Sequence, residues 1–340
     1  MLRAIVACGL MALLFIGLGG CGKDVTKSED VYNRIVLEPT QFPTLKSGLI
    51  YVGWVVKTDA DSNWMEYQEF GKFFWDEHDF RFLSPTDVTK DIGNTFTIQG
   101  NAYDYDIIAI TLEPYPNDPD PKPSPTIIAL SGIDPDKSTL MTFHRTFPNT
   151  QNRFAVGTFS DGHFKIKKQS RSNERYGIWF IELTNGGASR DTIETYRQGL
   201  FLPTLPDTGY LYEGWVTLNG TASDTVSTGK FFSPAYIDYD NSHCVDGTIP
   251  NFPGEDFIKP NSQPPNVPPS HWPLDVIGDG SVFITLEPNP DNDLSRPSPL
   301  VLLSAHLPVD TTRARTTSFD MGLVTHRTLP KIKVTFEKSL

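Results

Sequence analysis

The residues best suited to chemistry are two glutamates, Glu113 and Glu287, which occupy the same place in two copies of the tetrapeptide Thr-Leu-Glu-Pro. Two carboxylates can cleave a glycosidic bond when both reach one cleft. These two belong to different copies of a repeat, and a position before proline at a strand end also suits register and turn formation. A hydrolase built on Glu113 or Glu287 is therefore only an alternative, and no catalytic residue is predicted.

Acidic loops follow both glutamates and offer oxygen ligands. Asp118 and Asp120 lie in the first loop, and Asp291 and Asp293 lie in the second. Calcium prefers such oxygens, but neither loop has the spacing or the closing bidentate glutamate of a known calcium loop. Asp and Asn also favour turns on their own account. The four aspartates are calcium candidates, while the prediction as a whole includes no metal and no cofactor.

Histidine and cysteine give no metal or nucleophile pattern. His144 and His326 recur in a His-Arg-Thr triplet, but no second His or Cys stands at a zinc-ligand spacing. Cys244 has no partner for a disulfide in the mature chain and is expected to be a half-buried bystander. The sequence also contains no Gly-x-Ser-x-Gly, phosphate-loop or dinucleotide motif.

Two tryptophans, Trp54 and Trp215, are candidates for stacking on a sugar or a peptide. A tryptophan in a strand usually belongs to the core. In the second copy, however, the polar neighbours Glu213 and Thr217 leave open an exposed ring. Both tryptophans are therefore possible ligand-stacking residues.

These residues belong to a pattern that the chain writes twice. The motifs occur in the same order in both copies. They are Tyr-x-Gly-Trp (Tyr51 to Trp54, Tyr212 to Trp215), Gly-Lys-Phe-Phe (Gly71 to Phe74, Gly229 to Phe232), Thr-Leu-Glu-Pro (Thr111 to Pro114, Thr285 to Pro288), Pro-Ser-Pro (Pro123 to Pro125, Pro297 to Pro299) and His-Arg-Thr. The order indicates an internal duplication.

Period-two alternation predicts the elements that position the motifs. Ile108, Ile110 and Leu112 alternate with Thr111 and Glu113, which is typical of a sheet with one face in a core. Short strands separated by Gly, Pro, Asn and Asp, without sustained helical periodicity, predict an all-β fold. We expect two tandem antiparallel β-sandwich (Ig-like) domains.

The expected organisation has four parts. Residues 1–20 form a signal peptide, residues 21–31 a tether, and residues 32–151 the first repeat. Residues 152–340 form the second repeat, which carries a proline-rich loop insertion near 245–273. The insertion is expected to be a surface loop without a domain of its own.

The N-terminus resembles a bacterial lipoprotein signal. Arg3 precedes an apolar run that is short for a membrane span and ends in Leu-Gly-Gly-Cys21. The resemblance implies cleavage before Cys21 and acylation of that residue, palmitate included, which anchors the chain to a membrane. Gly22, where sorting signals would have Asp, favours the outer membrane of the cell envelope.

Charge excludes one class of partner. The net charge is −12 and the pI is near 5.0, so nothing resembles a basic stripe for nucleic acid. The expected partners are the membrane, through the lipid on Cys21, and an envelope protein or glycan.

The Trp-bearing strand, the Gly-Lys-Phe strand and the Leu-Glu-Pro strand with its following loop resemble the extracytoplasmic C-terminal domain of anti-sigma-K factors. The resemblance implies a β-sandwich outside the cytoplasm and carries no catalytic residue over. It does not imply sigma-factor sequestration, because the helical segment responsible is missing. The predicted function is a non-enzymatic binding or scaffolding module, with a surface adhesin or carbohydrate-binding lipoprotein as the alternative.

Overall fold

Alternating apolar and polar residues form strands throughout the described part of the chain. The computed structural model describes residues 30–45, 48–159, 175–184, 196–205, 209–218, 225–240, 242–244, 250–291, 293–309 and 318–339. The predicted signal peptide, Cys21 and most of the tether lie outside these residues. Among the described residues, no helix has both the length and the apolar character needed to span a membrane.

The secondary structure is almost entirely strand, which confirms the all-β prediction. In chain order the strands are β1 (Tyr32–Thr40), β2 (Leu49–Thr58), β3 (Trp64–Asp76), β4 (Arg81–Leu83), β5 (Thr95–Thr97), β6 (Ile107–Pro114), β7 (Ile127–Gly132), β8 (Thr139–Thr142), β9 (Asn152–Val156), β10 (Gly177–Trp179), β11 (Ile181–Leu183), β12 (Tyr196–Gln198), β13 (Tyr210–Leu218), β14 (Thr225–Phe231), β15 (Gly254–Asp256), β16 (Gly280–Pro288), β17 (Val301–His306), β18 (Ser318–Leu323) and β19 (Lys331–Lys338). Single helical turns occur at Ala102–Asp104, Pro269–His271 and Thr325–Thr328.

The strands form two large antiparallel sheets with matching order. One sheet runs β4-β3-β2-β6-β7-β8-β19-β1-β5, and the other runs β14-β13-β16-β17-β18-β9-β10-β15. Strands that carry the same motif hold the same place: β2 and β13 carry the tryptophans, and β6 and β16 carry the glutamates. A duplicated module predicts this match, although the duplication itself stays an inference from the repeated motifs.

The two sheets exchange their last strands. In the first sheet β19 lies between β8 and β1, and it pairs with both in antiparallel register. In the second sheet β9 occupies the equivalent place between β18 and β10. Each His-Arg-Thr triplet stands in the connection that leads to the exchanged strand. The C-terminal strand β19 of the second repeat therefore completes the sheet of the first repeat. Strand β9, which begins at the predicted boundary between the repeats and follows β8 as β19 follows β18, completes the sheet of the second.

Each sheet rolls so that its ends face each other, consistent with a β-sandwich. In the first sheet Phe96 of β5 packs on Phe70 and Phe73 of β3, with ring centroids 5.7 and 5.5 Å apart. Gly71 makes this approach possible, because a Cβ at Gly71 would lie 2.5 Å from the Phe96 ring. In the second sheet β15 likewise approaches β14.

The glycine of each Tyr-x-Gly-Trp motif lies at a β-bulge. The register shifts between Gly53 and Trp54 in one copy and between Glu213 and Trp215 in the other. A Cβ at Gly53 would lie 2.1 Å from the Phe70 ring, and one at Gly214 would lie 2.1 Å from Thr228 Oγ1. The sequence predicted a bulge or a close approach here, and both are present.

The insertion contributes to the second sandwich beyond a surface loop. Its described residues include β15, which pairs with β10. Phe257 and Val267 from the same segment are buried in the main core. The prediction of a surface loop rested on the proline content of this segment, which does not reveal the short strand or the two core residues.

One apolar core runs through both sandwiches. It includes Tyr51 and Val55 of the first repeat and their counterparts Tyr212 and Val216 of the second. Between the repeats, Thr126 Oγ1 donates to the carbonyl of Gly209 at 3.0 Å. The residues from Val31 onward accordingly form one compact unit.

Candidate functional site

A buried hydrogen-bond relay explains the spacing of the repeated motifs. In the first copy Trp54 Nε1 donates to Thr111 Oγ1 at 2.8 Å, and that hydroxyl donates to Glu113 Oε1. The backbone N–H of Ser124 donates to the same carboxylate oxygen at 2.9 Å. Strand alternation puts Thr111 and Glu113 on one face of β6, opposite the main core. The motif residues thus satisfy one another where water is excluded.

The second copy repeats the relay. Trp215 Nε1 donates to Thr285 Oγ1 at 3.0 Å, and Thr285 Oγ1 donates to Glu287 Oε1 at 2.5 Å. Ser298 N donates to that oxygen at 2.7 Å. The Trp, the Thr-Leu-Glu-Pro motif and the Pro-Ser-Pro motif are therefore parts of one structural unit in each repeat.

Both tryptophan rings are buried where they take part in the relay. Trp54 is 4 % exposed and Trp215 is 1 % exposed, so neither ring presents a face to solvent. Trp54 packs with Val52 and Val56 in a small cluster outside the main core. Both tryptophans were predicted as possible ligand-stacking residues, but neither has an exposed ring on which a ligand could stack.

The two repeats have different residues next to the relay. Where the first repeat has Val52 and Asn117, the second has Glu213 and Asp291. Ligand oxygens of Glu213, Glu287 and Asp291 all lie within 4.8 Å of one another. Lys230 joins them, with its Nζ 2.7 Å from Asp291 Oδ2 and 3.6 Å from Glu213 Oε2. We call these four residues the acidic cluster.

Burial dominates the electrostatics of the acidic cluster. Burial, together with the nearby charge of Glu287, raises the pKa of Glu213 to about 8, against the opposing effect of Lys230. Glu213 therefore holds a proton at neutral pH. Burial works against the charge of Lys230, yet the surrounding carboxylates of Glu213, Asp291 and Glu287 raise its pKa overall. The cluster thus gathers three acids around one ammonium group.

This geometry bears on the hydrolase alternative. Glu287 does lie beside a second acid, Glu213, as that alternative required. The first copy has Val52 where Glu213 stands, so Glu113 lacks this second acid. Glu213 and Glu287 are only 3 % and 0 % exposed. A sugar chain cannot reach carboxylates buried to this degree, so the arrangement does not provide a glycosidase cleft.

The calcium candidates separate into different roles. Asp118 Oδ1 and Asp120 Oδ1 accept from the backbone N–H groups two residues on, at 3.0 and 3.1 Å, as turn-forming aspartates do. Asp293 pairs with Arg296 at 2.7 Å. Only Asp291 enters a group of metal-ligand type among the described residues, and its partners are glutamates from neighbouring strands.

His144 and Cys244, the other candidates for metal binding or nucleophilic chemistry, are largely removed from solvent in the fold. Burial and the adjacent Arg145 lower the pKa of His144 to about 4. The side chain of His326 lies outside the described residues. Burial and the carboxylates of Glu255 and Asp256 raise the pKa of the Cys244 thiol, which leaves it protonated and unreactive.

An open cleft in the second repeat was not predicted. It has a volume of about 470 Å³, and its lining includes Tyr176, His271, Trp272, Asp275 and Asp279. Trp272 comes from the end of the proline-rich insertion, and its Nε1 donates to the Lys259 carbonyl at 3.0 Å. The cleft could have been suspected from the sequence, because Trp272 lies in an insertion that shows no strand alternation.

Comparisons with known protein families, with characterised proteins and with solved structures returned no significant match to this chain.

Proposed function

We propose that the chain is a lipid-anchored protein of the bacterial cell envelope, at the outer membrane, that acts as a non-enzymatic binding or scaffolding module. The cleft between Tyr176 and Trp272 is the observation that carries the proposal, because it combines aromatic surface with exposed polar groups. The motif residues Trp54, Trp215 and Glu113, by contrast, are used in buried structural contacts. The anchor rests on the Leu-Gly-Gly-Cys21 signal.

The surrounding charge favours a neutral or cationic ligand. Asp275 and Asp279 line the cleft, and the whole chain carries a net charge of −12. Asp275 is already held by Arg175, with Nη2 and Oδ2 2.5 Å apart. A neutral glycan or a basic segment of an envelope protein fits these groups better than an anionic ligand.

Exposed aromatic rings support the alternative of a surface adhesin or carbohydrate-binding lipoprotein. Phe232 stacks on Tyr236 and on Tyr239 at interplanar angles of 20° and 22°. The two tyrosines are 58 % and 63 % exposed. Such exposed ring systems are enriched where proteins recognise sugars or other proteins.

Cross-linking in cells distinguishes these functions from catalysis. A photoreactive side chain at position 270, which lines the same cleft and leaves Trp272 in place, is expected to capture an envelope partner. The purified protein is probed in parallel on a glycan array. Trp272→Ala should reduce binding about 5- to 150-fold, since one aromatic anchor contributes about 1–3 kcal/mol. Phe80→Ala, which removes a ring that is 75 % exposed elsewhere, is the matched control. Equal binding by both variants would remove the cleft from the proposal.

The anchor has its own test. Labelled palmitate should be incorporated into the wild-type protein and not into Cys21→Ser, which should leave the membrane fraction. An acylated Cys21→Ser variant, or a wild type without label, would contradict the lipid anchor.

A further inference from the structure

The acidic cluster carries an inference that is independent of the proposed binding cleft. Three carboxylates and one lysine are buried together in the second repeat, whereas the equivalent positions of the first repeat hold Val52 and Asn117 beside Glu113. The relay of Trp, Thr and Glu is complete in both copies. The extra acids of the second copy are therefore not needed to build the sandwich.

Each acid of the cluster accepts hydrogen bonds that orient its side chain. Ser227 Oγ donates to Glu213 Oε1 at 2.6 Å. Thr285 Oγ1 and Ser298 N donate to Glu287 Oε1, and Asp293 N donates to Asp291 Oδ1 at 2.9 Å. Hydrogen bonds from outside the coordination shell orient the ligands of metal sites in the same way.

One ligand atom has no hydrogen bond. Glu213 Oε2 is buried and accepts none, and its nearest cation, Lys230 Nζ, is 3.6 Å away, outside hydrogen-bond distance. Leaving a buried carboxylate oxygen unsatisfied is costly. A cation bound between the three acids would satisfy this oxygen.

The oxygens are spaced for a single ion. Two ligands of one calcium ion, each at about 2.3–2.6 Å, lie at most about 5 Å apart. The cluster oxygens lie within 4.8 Å of one another. An all-carboxylate ligand set selects hard divalent cations over zinc or copper.

The cluster also has an access route. The Lys230 side chain is 17 % exposed, so the cluster reaches solvent at this residue. A cleft of about 420 Å³ is lined by Trp215 and by Ser227, the residue that donates to Glu213. The lysine can leave toward solvent along its flexible stem, and water can complete the coordination.

We propose that Glu213, Glu287 and Asp291 form a binding site for a hard divalent cation of the calcium type, which displaces the ammonium group of Lys230. The ion then brings two positive charges to the three acids, where the ammonium group of Lys230 brought one. The first repeat lacks two of the three ligands and binds no ion at its equivalent position.

Calorimetric titration of the whole chain with Ca²⁺ tests the site after treatment with a chelator. The wild type is expected to bind one ion with a dissociation constant of about 10⁻⁵ to 10⁻³ M, and to melt at a higher temperature when Ca²⁺ is added. Glu213→Val and Asp291→Asn introduce the residue types of the first repeat, and each should weaken binding by at least about 100-fold. Lys230→Met, which removes the competing cation, should tighten it.

Glu113→Gln is the matched control, because it alters the relay glutamate of the repeat that lacks the other acids. It should leave the calcium affinity unchanged. No heat and no melting shift for the wild type would overturn the proposal, as would binding that survives both Glu213→Val and Asp291→Asn. Binding that appears only in Lys230→Met would overturn it as well, because the lysine would then be the permanent counter-ion.

Discussion

At the scale of single residues, the repeated motifs are explained by two buried contacts. One is the relay from tryptophan through threonine to glutamate. The other is a tyrosine bond, in which Tyr51 Oη donates to the Pro43 carbonyl at 2.6 Å and Tyr212 Oη donates to the Pro203 carbonyl at 2.7 Å. Each buries a polar group with its partner, so the whole motif is constrained together.

Replacing the middle of the relay should destabilise the fold. Thr111→Val keeps the shape but leaves Trp54 Nε1 and the Glu113 carboxylate without their shared hydroxyl. We expect a loss of about 1–3 kcal/mol in the free energy of unfolding, measured in urea. Thr97→Val, at an exposed position of β5, is the control and should change stability by less than about 0.5 kcal/mol. Equal losses would mean that the relay contributes nothing.

A buried aspartate should make stability depend on pH. Burial raises the pKa of Asp238 to about 7, with a smaller contribution from the charge of Asp240. The folded state therefore holds a proton that the unfolded state releases above about pH 4. Stability should fall by about 1.4 kcal/mol per pH unit as pH rises from about 4 to 7. Burial also raises the pKa of Glu255, which adds an effect of the same sign.

Urea unfolding at several pH values checks this prediction. Asp238→Asn should remove about 1.4 kcal/mol per pH unit from the fall between pH 4 and 7 and leave the contribution of Glu255. It should also lower stability by a constant amount, because one hydrogen bond from the backbone N–H of Gly254 or Asp240 is lost. Asp136→Asn, at an exposed position, should keep the wild-type slope. An unchanged slope in Asp238→Asn would contradict the assignment.

At the scale of elements, the exchange of β9 and β19 is the main feature. Each exchanged strand lies inside a sheet, with a hydrogen-bonded neighbour on both sides. Ile332 and Val334 of β19 are buried in the core. The sheet of the first repeat is thus held together by the C-terminal end of the chain.

Truncating a core side chain of β19 should therefore destabilise the sheet of the first repeat, which is far away in the sequence. Ile332→Ala is expected to cost about 2–4 kcal/mol. It should increase hydrogen exchange first in β1 and β8, the neighbours of β19, while β17 and β18 keep their protection. Lys333→Ala, on the exposed side of the same strand, is the control. Exchange that rises first in β18 would contradict the observed pairing.

At the scale of the whole molecule, the exchange joins two sheets that the sequence presents as consecutive. A sandwich that lacks an interior strand exposes strand edges and core residues. The two repeats should therefore unfold together, although each has the size of an ordinary domain.

A fragment limited to residues 32–151 should not fold by itself, because it lacks β19. Its NMR spectrum is expected to show poor dispersion, while the chain from residue 22 onward melts in one calorimetric transition. Addition of a peptide covering residues 329–339 should restore dispersion to the fragment. A well-dispersed spectrum without the peptide would show that the first repeat is self-sufficient.

Much of the fold follows from local pattern. Alternation in Ile108, Ile110 and Leu112 placed these side chains in the core, and Gly53 marked a bulge. Other elements depend on a partner strand: the short polar strand Tyr196–Gln198 pairs with Ile181–Leu183. The conformation of a short polar segment depends more on pairing with a neighbouring strand than on its intrinsic propensity.

The sequence by itself determined the strand content, the inward and outward faces and the repeated motifs, because alternation and turn residues act over a few neighbours. Only the tertiary structure decided which strands pair, and therefore that β19 completes the first sheet. It also decided that Trp215 is buried and that Glu213, Glu287 and Asp291 converge. Contacts between residues so far apart in the chain depend on how the sheets roll and pack, and a local pattern carries no information about that.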